Sequence, residues 1–332
     1  MNLETPYLIF LGDAKDALAA KTGQGVVDWR PDAVIGQLRL PGCRADLGVA
    51  DLSIQQATEA GARTFLIGVV NPGGVLPKQW QGVIVEALEA GMDVANGLHT
   101  PLDSIPEIAE AARRSDRRLL EARRSVGPFP VASGRKRTGK RLLTVGTDCS
   151  VGKKYAALAI ERELTTRNIT ADFRATGQTG ILVAGSGIPI DAVVADFAAG
   201  AAETLSPDND PAHWDVVEGQ GSLFHPSFAG VSLALLHGTQ PDAFVVCHEP
   251  TRTTMRNVDV PIAGIDAVIK QTIALGRLTN PAVRCVGIAL NTSGLDAERA
   301  NQTIEQAHRQ FGVPVCDPVR HGVEAIVDEM LA

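Results

Sequence analysis

Leu142-Leu143-Thr144-Val145-Gly146-Thr147-Asp148-Cys149-Ser150-Val151-Gly152-Lys153-Lys154-Tyr155 is an apolar run that turns through glycine and lysine into a helical pattern. Gly146 and Gly152 bracket it with the spacing GxxxxGK. That spacing lets bare backbone N–H groups and the positive end of the following helix face a phosphate, with Lys153 as counter-charge. The reading is a phosphate-binding loop made of Gly146, Thr147, Asp148, Cys149, Ser150, Val151, Gly152, Lys153, Lys154 and Tyr155. The helix is expected over 153–167, with Tyr155, Leu158, Ala159, Ile160 and Leu164 on one side and Glu161, Arg162 and Glu163 on the other.

The position after the loop lysine ordinarily carries Ser or Thr, whose hydroxyl holds Mg²⁺. Here it is Lys154. An ammonium cannot ligate a metal and adds charge for phosphate, so the loop reads as one that grips a phosphorylated ligand without hydrolysing it, and no metal is expected. The plainer alternative is a solvated lysine at a helix start.

Downstream, strands and helices alternate. A strand over 170–174 delivers Ala175-Thr176-Gly177-Gln178-Thr179-Gly180, whose hydroxyls and glycines suit polar ligand contacts. Asp191 is expected to cap a helix over 192–204. Trp214-Asp215-Val216-Val217 ends at Glu218-Gly219-Gln220-Gly221-Ser222-Leu223, with Glu218 where a nucleotide-binding fold places an acid beside the phosphates. The alternative for Glu218 is a strand-end carboxylate bonded to nearby glycine amides. A strand over 244–247 leads to His248-Glu249-Pro250-Thr251-Arg252, with Arg256 one helical turn on. A strand over 283–290, a helix over 296–311, a strand over 313–316 and a helix over 321–331 complete the chain. Such alternation gives a mostly parallel sheet covered on both faces, with ligands at the strands' C-terminal edge.

Upstream, β-rich runs at 7–11, 33–37, 64–70 and 92–95 alternate with helical patterns, including 79–90, and imply a small α/β domain. Two of its strand ends carry polar or glycine-rich sequence: Asn71-Pro72-Gly73-Gly74, and Asn96-Gly97-Leu98-His99. A charged helical pattern over 105–124 is broken by Ser125-Val126-Gly127-Pro128-Phe129-Pro130. The domains are therefore expected at 1–130 and 131–332. The basic cluster Arg135, Lys136, Arg137, Lys140 and Arg141 either approaches the phosphates or is a solvated linker.

A net charge of −7 argues against nucleic-acid and membrane-surface partners. The five scattered cysteines form no CxxC pair and suit a reducing cytoplasm. With 332 residues, of which 45% are hydrophobic, the chain can bury a large core. The run at 7–11 is too short to span a bilayer and follows Glu4, unlike an export signal. A homo-oligomer is expected.

Gly146-Thr147-Asp148, Glu218-Gly219-Gln220-Gly221 and Asn291, in that order, make the second half similar to dethiobiotin synthetase-like P-loop proteins. In that branch acids at positions matching Asp148 and Glu218 help hold Mg²⁺, and Lys154 departs from its pattern. Nearly the whole chain resembles a two-domain P-loop family, formerly of unknown function, that includes a D-glutamate N-acetyltransferase. The marks are Gly97-Leu98-His99-Thr100-Pro101-Leu102, the loop itself, Thr176-Gly177-Gln178-Thr179-Gly180, Glu218 to Leu223, and His225-Pro226.

The resemblance implies a fold of α/β class, a small N-terminal Rossmann-like domain followed by a P-loop NTPase-like domain. It also implies transfer of an acetyl group from acetyl-CoA to the amino group of D-glutamate. Residue chemistry is compatible: Lys153 and Lys154 suit the phosphates of coenzyme A. Glu218 is the first candidate for general base, with His225 and Glu249 in reserve. Arg174, Arg252 and Arg256, with Thr176 and Gln178, are candidate contacts for the amino-acid substrate. Two other readings stand beside it, an ATP-dependent ligase of the dethiobiotin synthetase type and a non-catalytic nucleotide-binding regulator.

Overall fold

A computed structural model describes residues 2–17, 19–69, 75–125 and 127–332. It falls into two compact units. The first comprises 1–126 together with 177–192, the second 127–176 and 193–332. The units meet at 126/127, close to the expected division at 130/131, and the segment 177–192 groups with the first unit.

The first unit is a parallel sheet in the order β2-β1-β3-β4-β5, from β1 (Tyr7–Gly12), β2 (Val34–Arg39), β3 (Thr64–Ile67), β4 (Asp93–Asn96) and β5 (Leu119–Glu121). Leu8, Ile9 and Phe10 of β1 and Phe65, Leu66 and Ile67 of β3 are fully buried, as central parallel strands require. Helices α1 (Lys21–Trp29), α2 (Ile54–Glu59), α3 (Gln81–Glu89) and α4 (Pro106–Ser115) complete the βα alternation.

The helix expected over 105–124 stops at Ser115, because Asp116 takes the left-handed conformation (φ 51°) and closes it. The chain then adds the edge strand β5, whose three residues are too few to show alternation in sequence. The glycine-rich turn expected at 71–74 lies outside the described residues.

The second unit is a parallel sheet in the order β11-β10-β9-β6-β8-β7. Its strands are β6 (Lys140–Gly146), β7 (Ala171–Arg174), β8 (Trp214–Val217), β9 (Ala243–His248), β10 (Arg284–Leu290) and β11 (Val315–Cys316). Helices α5 (Lys153–Thr166), α7 (Ala195–Leu205), α8 (Ala229–Thr239), α9 (Ile265–Gly276), α10 (Ala297–Phe311) and α11 (Glu324–Leu331) belong to it. Helix α6 (Gln178–Ala184) belongs to the first unit. Asp191 does not cap the next helix. It sits in a short 3₁₀ turn, Ile190–Ala192, and α7 starts later, after Val194, with no side-chain cap.

Strand β6 is central, flanked by β9 and β8, so the loops following these three strands share one edge of the sheet. At the opposite end of β6 the basic cluster divides: Arg135, Lys136 and Lys140 are exposed, as the solvated reading expects, whereas Arg137 and Arg141 are buried. Arg141 is fully buried and donates to the carbonyls of Ser206, Arg137, Gly139, Thr138 and Pro207. Arg137 donates to Glu203 and Ser206 at the end of α7 and to Gly238 and Thr239 at the end of α8. These are carbonyls that a helix C-terminus leaves unpaired, at the negative end of its dipole. Burial lowers the Arg137 pKa to about 10.

Candidate active site

The loop of residues 146–152 joins β6 to α5 and delivers Lys153 to the first helical position. Gly152, the residue before the helix, has φ 103°, a conformation that a side chain would strain. No side chain caps this helix start, so its N-terminus faces the loop, as anion binding requires. The Lys153 ammonium donates to the carbonyls of Asp148 at 2.7 Å and Gly221 at 2.8 Å, and burial lowers its pKa. Glycine at 219 lets the loop after β8 approach this closely: a Cβ there would lie 1.6 Å from the Thr144 carbonyl oxygen. The cavity behind the loop, lined by Thr144, Gly219 and Thr272 among others, holds only about 20 Å³. That is room for about one water, so a ligand must use the open side.

Asp148 is fully buried and ties the loop to the segment after β9. One carboxylate oxygen accepts from the Cys149 N–H at 2.6 Å. The other accepts from Arg252 at 2.9 Å and from the Arg256 N–H at 2.8 Å. Burial alone would raise its pKa; Arg252 and the two amides outweigh it, and the net shift is down. Arg252 also donates to the Cys149 carbonyl at 2.6 Å, and Arg256 to the Ser150 hydroxyl at 2.7 Å. The segment carrying Arg256 is irregular, not the expected helical turn, but it still brings both arginines to the loop tip. This donor set does not fit Mg²⁺. Asp148 has its oxygens engaged by N–H donors, a guanidinium stands beside it, and position 154 offers an ammonium. Lys154 lies with its ammonium 4.3 Å from the centre of the Tyr155 ring.

The candidate catalytic residues fare differently. Glu218 is buried at the end of β8, and its carboxylate accepts from the Thr176 N–H at 3.0 Å. His225 does not present a free ring nitrogen. The Ser227 N–H donates to Nδ1 at 3.1 Å, which leaves the proton on Nε2, and Nε2 donates to the Arg256 carbonyl at 3.0 Å. It is a clamp between two loops. Glu249 holds Arg252 through an ion pair and accepts from the Thr251 hydroxyl at 3.3 Å, so it positions the arginine.

Among the expected substrate contacts, Arg252 and Arg256 are at the loop. Arg174 is paired instead with Asp215 at 2.7 Å and Asp172 at 2.9 Å. Thr176 is fully buried; its hydroxyl donates to the Glu218 carbonyl at 2.6 Å and accepts from Gln220 at 3.0 Å. Gln178 opens α6 in the first unit, where it lies against Gly97. His248 was not singled out from the sequence, yet its Nδ1 lies 2.9 Å from the Thr147 hydroxyl, and burial lowers its pKa. Its position was the available signal: it directly follows Cys247, which pairs with Gly146.

The fold and loop define a two-domain α/β protein with a Rossmann-like first domain and a P-loop second domain. Family models described as domains of unknown function agree, DUF1611_N (Rossmann-like) matching residues 38–125 and DUF1611_C (P-loop) residues 130–327. The chain belongs to the DUF1611 family. It is 50% identical over 331 residues to a D-glutamate N-acetyltransferase of Tritonibacter scottomollicae, covering 99% of each chain. It is 49% identical over 328 residues to another of that name from a Pseudoalteromonas species, covering 98% of this chain and 99% of the relative. A crystal structure of a DUF1611 family protein from Anabaena variabilis superposes with a TM-score of 0.84 at 31% identity, covering 99% of each chain.

Proposed function

We propose that this protein is an acyltransferase that moves the acetyl group of acetyl-CoA to the amino group of D-glutamate, and that the 146–154 loop holds the phosphates of coenzyme A. The observation that carries the loop assignment is its charge arrangement. Lys153, Arg252 and Arg256 surround an open helix N-terminus whose metal-binding positions are occupied by Lys154 and by the fully engaged Asp148. The near-half identity to two D-glutamate N-acetyltransferases supports the reaction and substrate. The five cysteines are free thiols, in keeping with work in a reducing cytoplasm, and among the described residues no helix is long and apolar enough to cross a membrane.

In this reading the amine of D-glutamate, once deprotonated, attacks the thioester carbonyl. A C–N bond forms, the tetrahedral intermediate collapses, the C–S bond breaks and coenzyme A leaves as its thiol. Glu218 is our general base, which accepts the ammonium proton. Glycine amides over 219–221 are candidate donors to the oxyanion, and Arg252 and Arg256 are candidate partners for the substrate carboxylates.

The test is thiol release from acetyl-CoA with a panel of D- and L-amino acids, beside ATP with Mg²⁺. Release with D-glutamate and silence with ATP is the expected result; phosphate release from ATP would point to a ligase, and silence throughout to a regulator. Glu218→Gln is expected to lower kcat by roughly 10²- to 10⁴-fold with coenzyme A affinity nearly unchanged. A variant that melts normally and keeps its turnover would place the base elsewhere.

A further inference from the structure

The two loops flanking the phosphate loop differ in chemistry. The one after β9 brings Glu249, Arg252 and Arg256. The one after β8, residues 219–228, contains no Asp, Glu, Lys or Arg. It ends instead on two phenylalanines that face solvent, Phe224 at 37% and Phe228 at 41% exposure.

Phe228 is not loosely placed. A Cβ built on Gly221 would lie 2.8 Å from the Phe228 Cβ, and the Gly221 carbonyl is a partner of Lys153. Its ring centroid is 4.6 Å from that of His225, which is itself fixed by the Ser227 N–H and the Arg256 carbonyl. The Phe228 carbonyl accepts from the Ser232 hydroxyl at 3.1 Å. An exposed aromatic ring thus packs on His225, and its residue lies against Gly221, whose carbonyl meets the loop lysine; leaving the ring in water gains the isolated protein nothing.

We propose that Phe228, assisted by Phe224, is the apolar wall against which the pantetheine arm of coenzyme A folds. The inference rests on the reading of the phosphate loop as the coenzyme A site. Coenzyme A joins a charged nucleotide to a long, uncharged arm. With its phosphates at the helix N-terminus, the arginine-bearing loop suits the charged end, and the uncharged 219–228 loop suits the arm. An extended arm would carry the thioester away from the sheet edge. An arm folded on Phe228 keeps it at the end of β8, where Glu218 lies.

The experiment compares Phe228→Ala, Phe224→Ala and Phe228→Leu with the unsubstituted protein in titrations of coenzyme A and of adenosine 3′,5′-bisphosphate, which lacks the arm. Phe228→Ala is expected to weaken coenzyme A binding about tenfold and the bisphosphate less than about twofold. Phe224→Ala should have a smaller effect of the same kind, and Phe228→Leu should retain most of the affinity. Equal loss of both ligands at an unchanged melting temperature would put the adenine base on the ring and overturn the proposal. So would unchanged coenzyme A affinity, including the case in which the variants only shift the particle to a smaller size and reveal a contact between copies. Failure of the unsubstituted protein to bind coenzyme A would instead remove the reading on which the inference rests.

Discussion

Cations gather at both ends of β6, and their partners set them apart. At its start, Arg137 and Arg141 are buried on main-chain carbonyls, several from the last turns of α7 and α8. At its far end, Lys153 also rests on two carbonyls, but it stands before a helix start, with Arg252 half-buried and Arg256 exposed beside it. The first set donates to carbonyls at helix ends. The second lies at the positive end of a helix, where the proposed coenzyme A phosphates would meet it. A basic residue near a phosphate loop is thus a ligand candidate only if its carbonyl partners can do without it.

The contrast predicts opposite phenotypes. Arg141→Ala strips donors from buried carbonyls and should destabilise the protein by about 3 kcal/mol or more. The second unit would melt earlier, while the folded fraction keeps its coenzyme A affinity. Loss of affinity with an unchanged melting temperature would erase the distinction between the two ends.

The sequence carried the loop, its strand and helix, and the parallel alternation around them, because continuous apolar runs and glycine spacing are local signals. It did not carry what depends on which strands meet. Arg174 stands at a strand end like Arg252, but β7 and β8 pair so that Asp172 and Asp215 neutralise it. The periodicity of a charged segment hid β5, and Arg137 and Arg141 read as linker because their helix ends arrive from some 60 to 100 residues away. His225 showed its type but not that both nitrogens are taken.

A smaller effect sharpens the same comparison through His248. Burial holds its folded pKa below the ordinary histidine value of about 6.5. In that window the unfolded chain binds the proton and the folded chain does not, so the stability contribution is full above about pH 6.5 and is lost as pH falls through the window. His248→Gln should melt with a flatter pH dependence than the unsubstituted protein between about pH 5 and about pH 7.5. An unchanged slope would show that the ring beside Thr147 titrates as if in water.

The central claim is that the loop holds the phosphates of coenzyme A with the protein's own cations. Calorimetric titration of coenzyme A into the unsubstituted protein and Lys153→Ala, each with Mg²⁺ and with EDTA, tests it most directly. The account predicts the same affinity with and without the metal and roughly a tenfold to hundredfold loss in the variant, the worth of one charge-assisted contact to phosphate. Its melting temperature is measured on the same preparations, since the variant also removes the donor to the Asp148 and Gly221 carbonyls. Unchanged affinity in Lys153→Ala, or binding that disappears in EDTA, would contradict it.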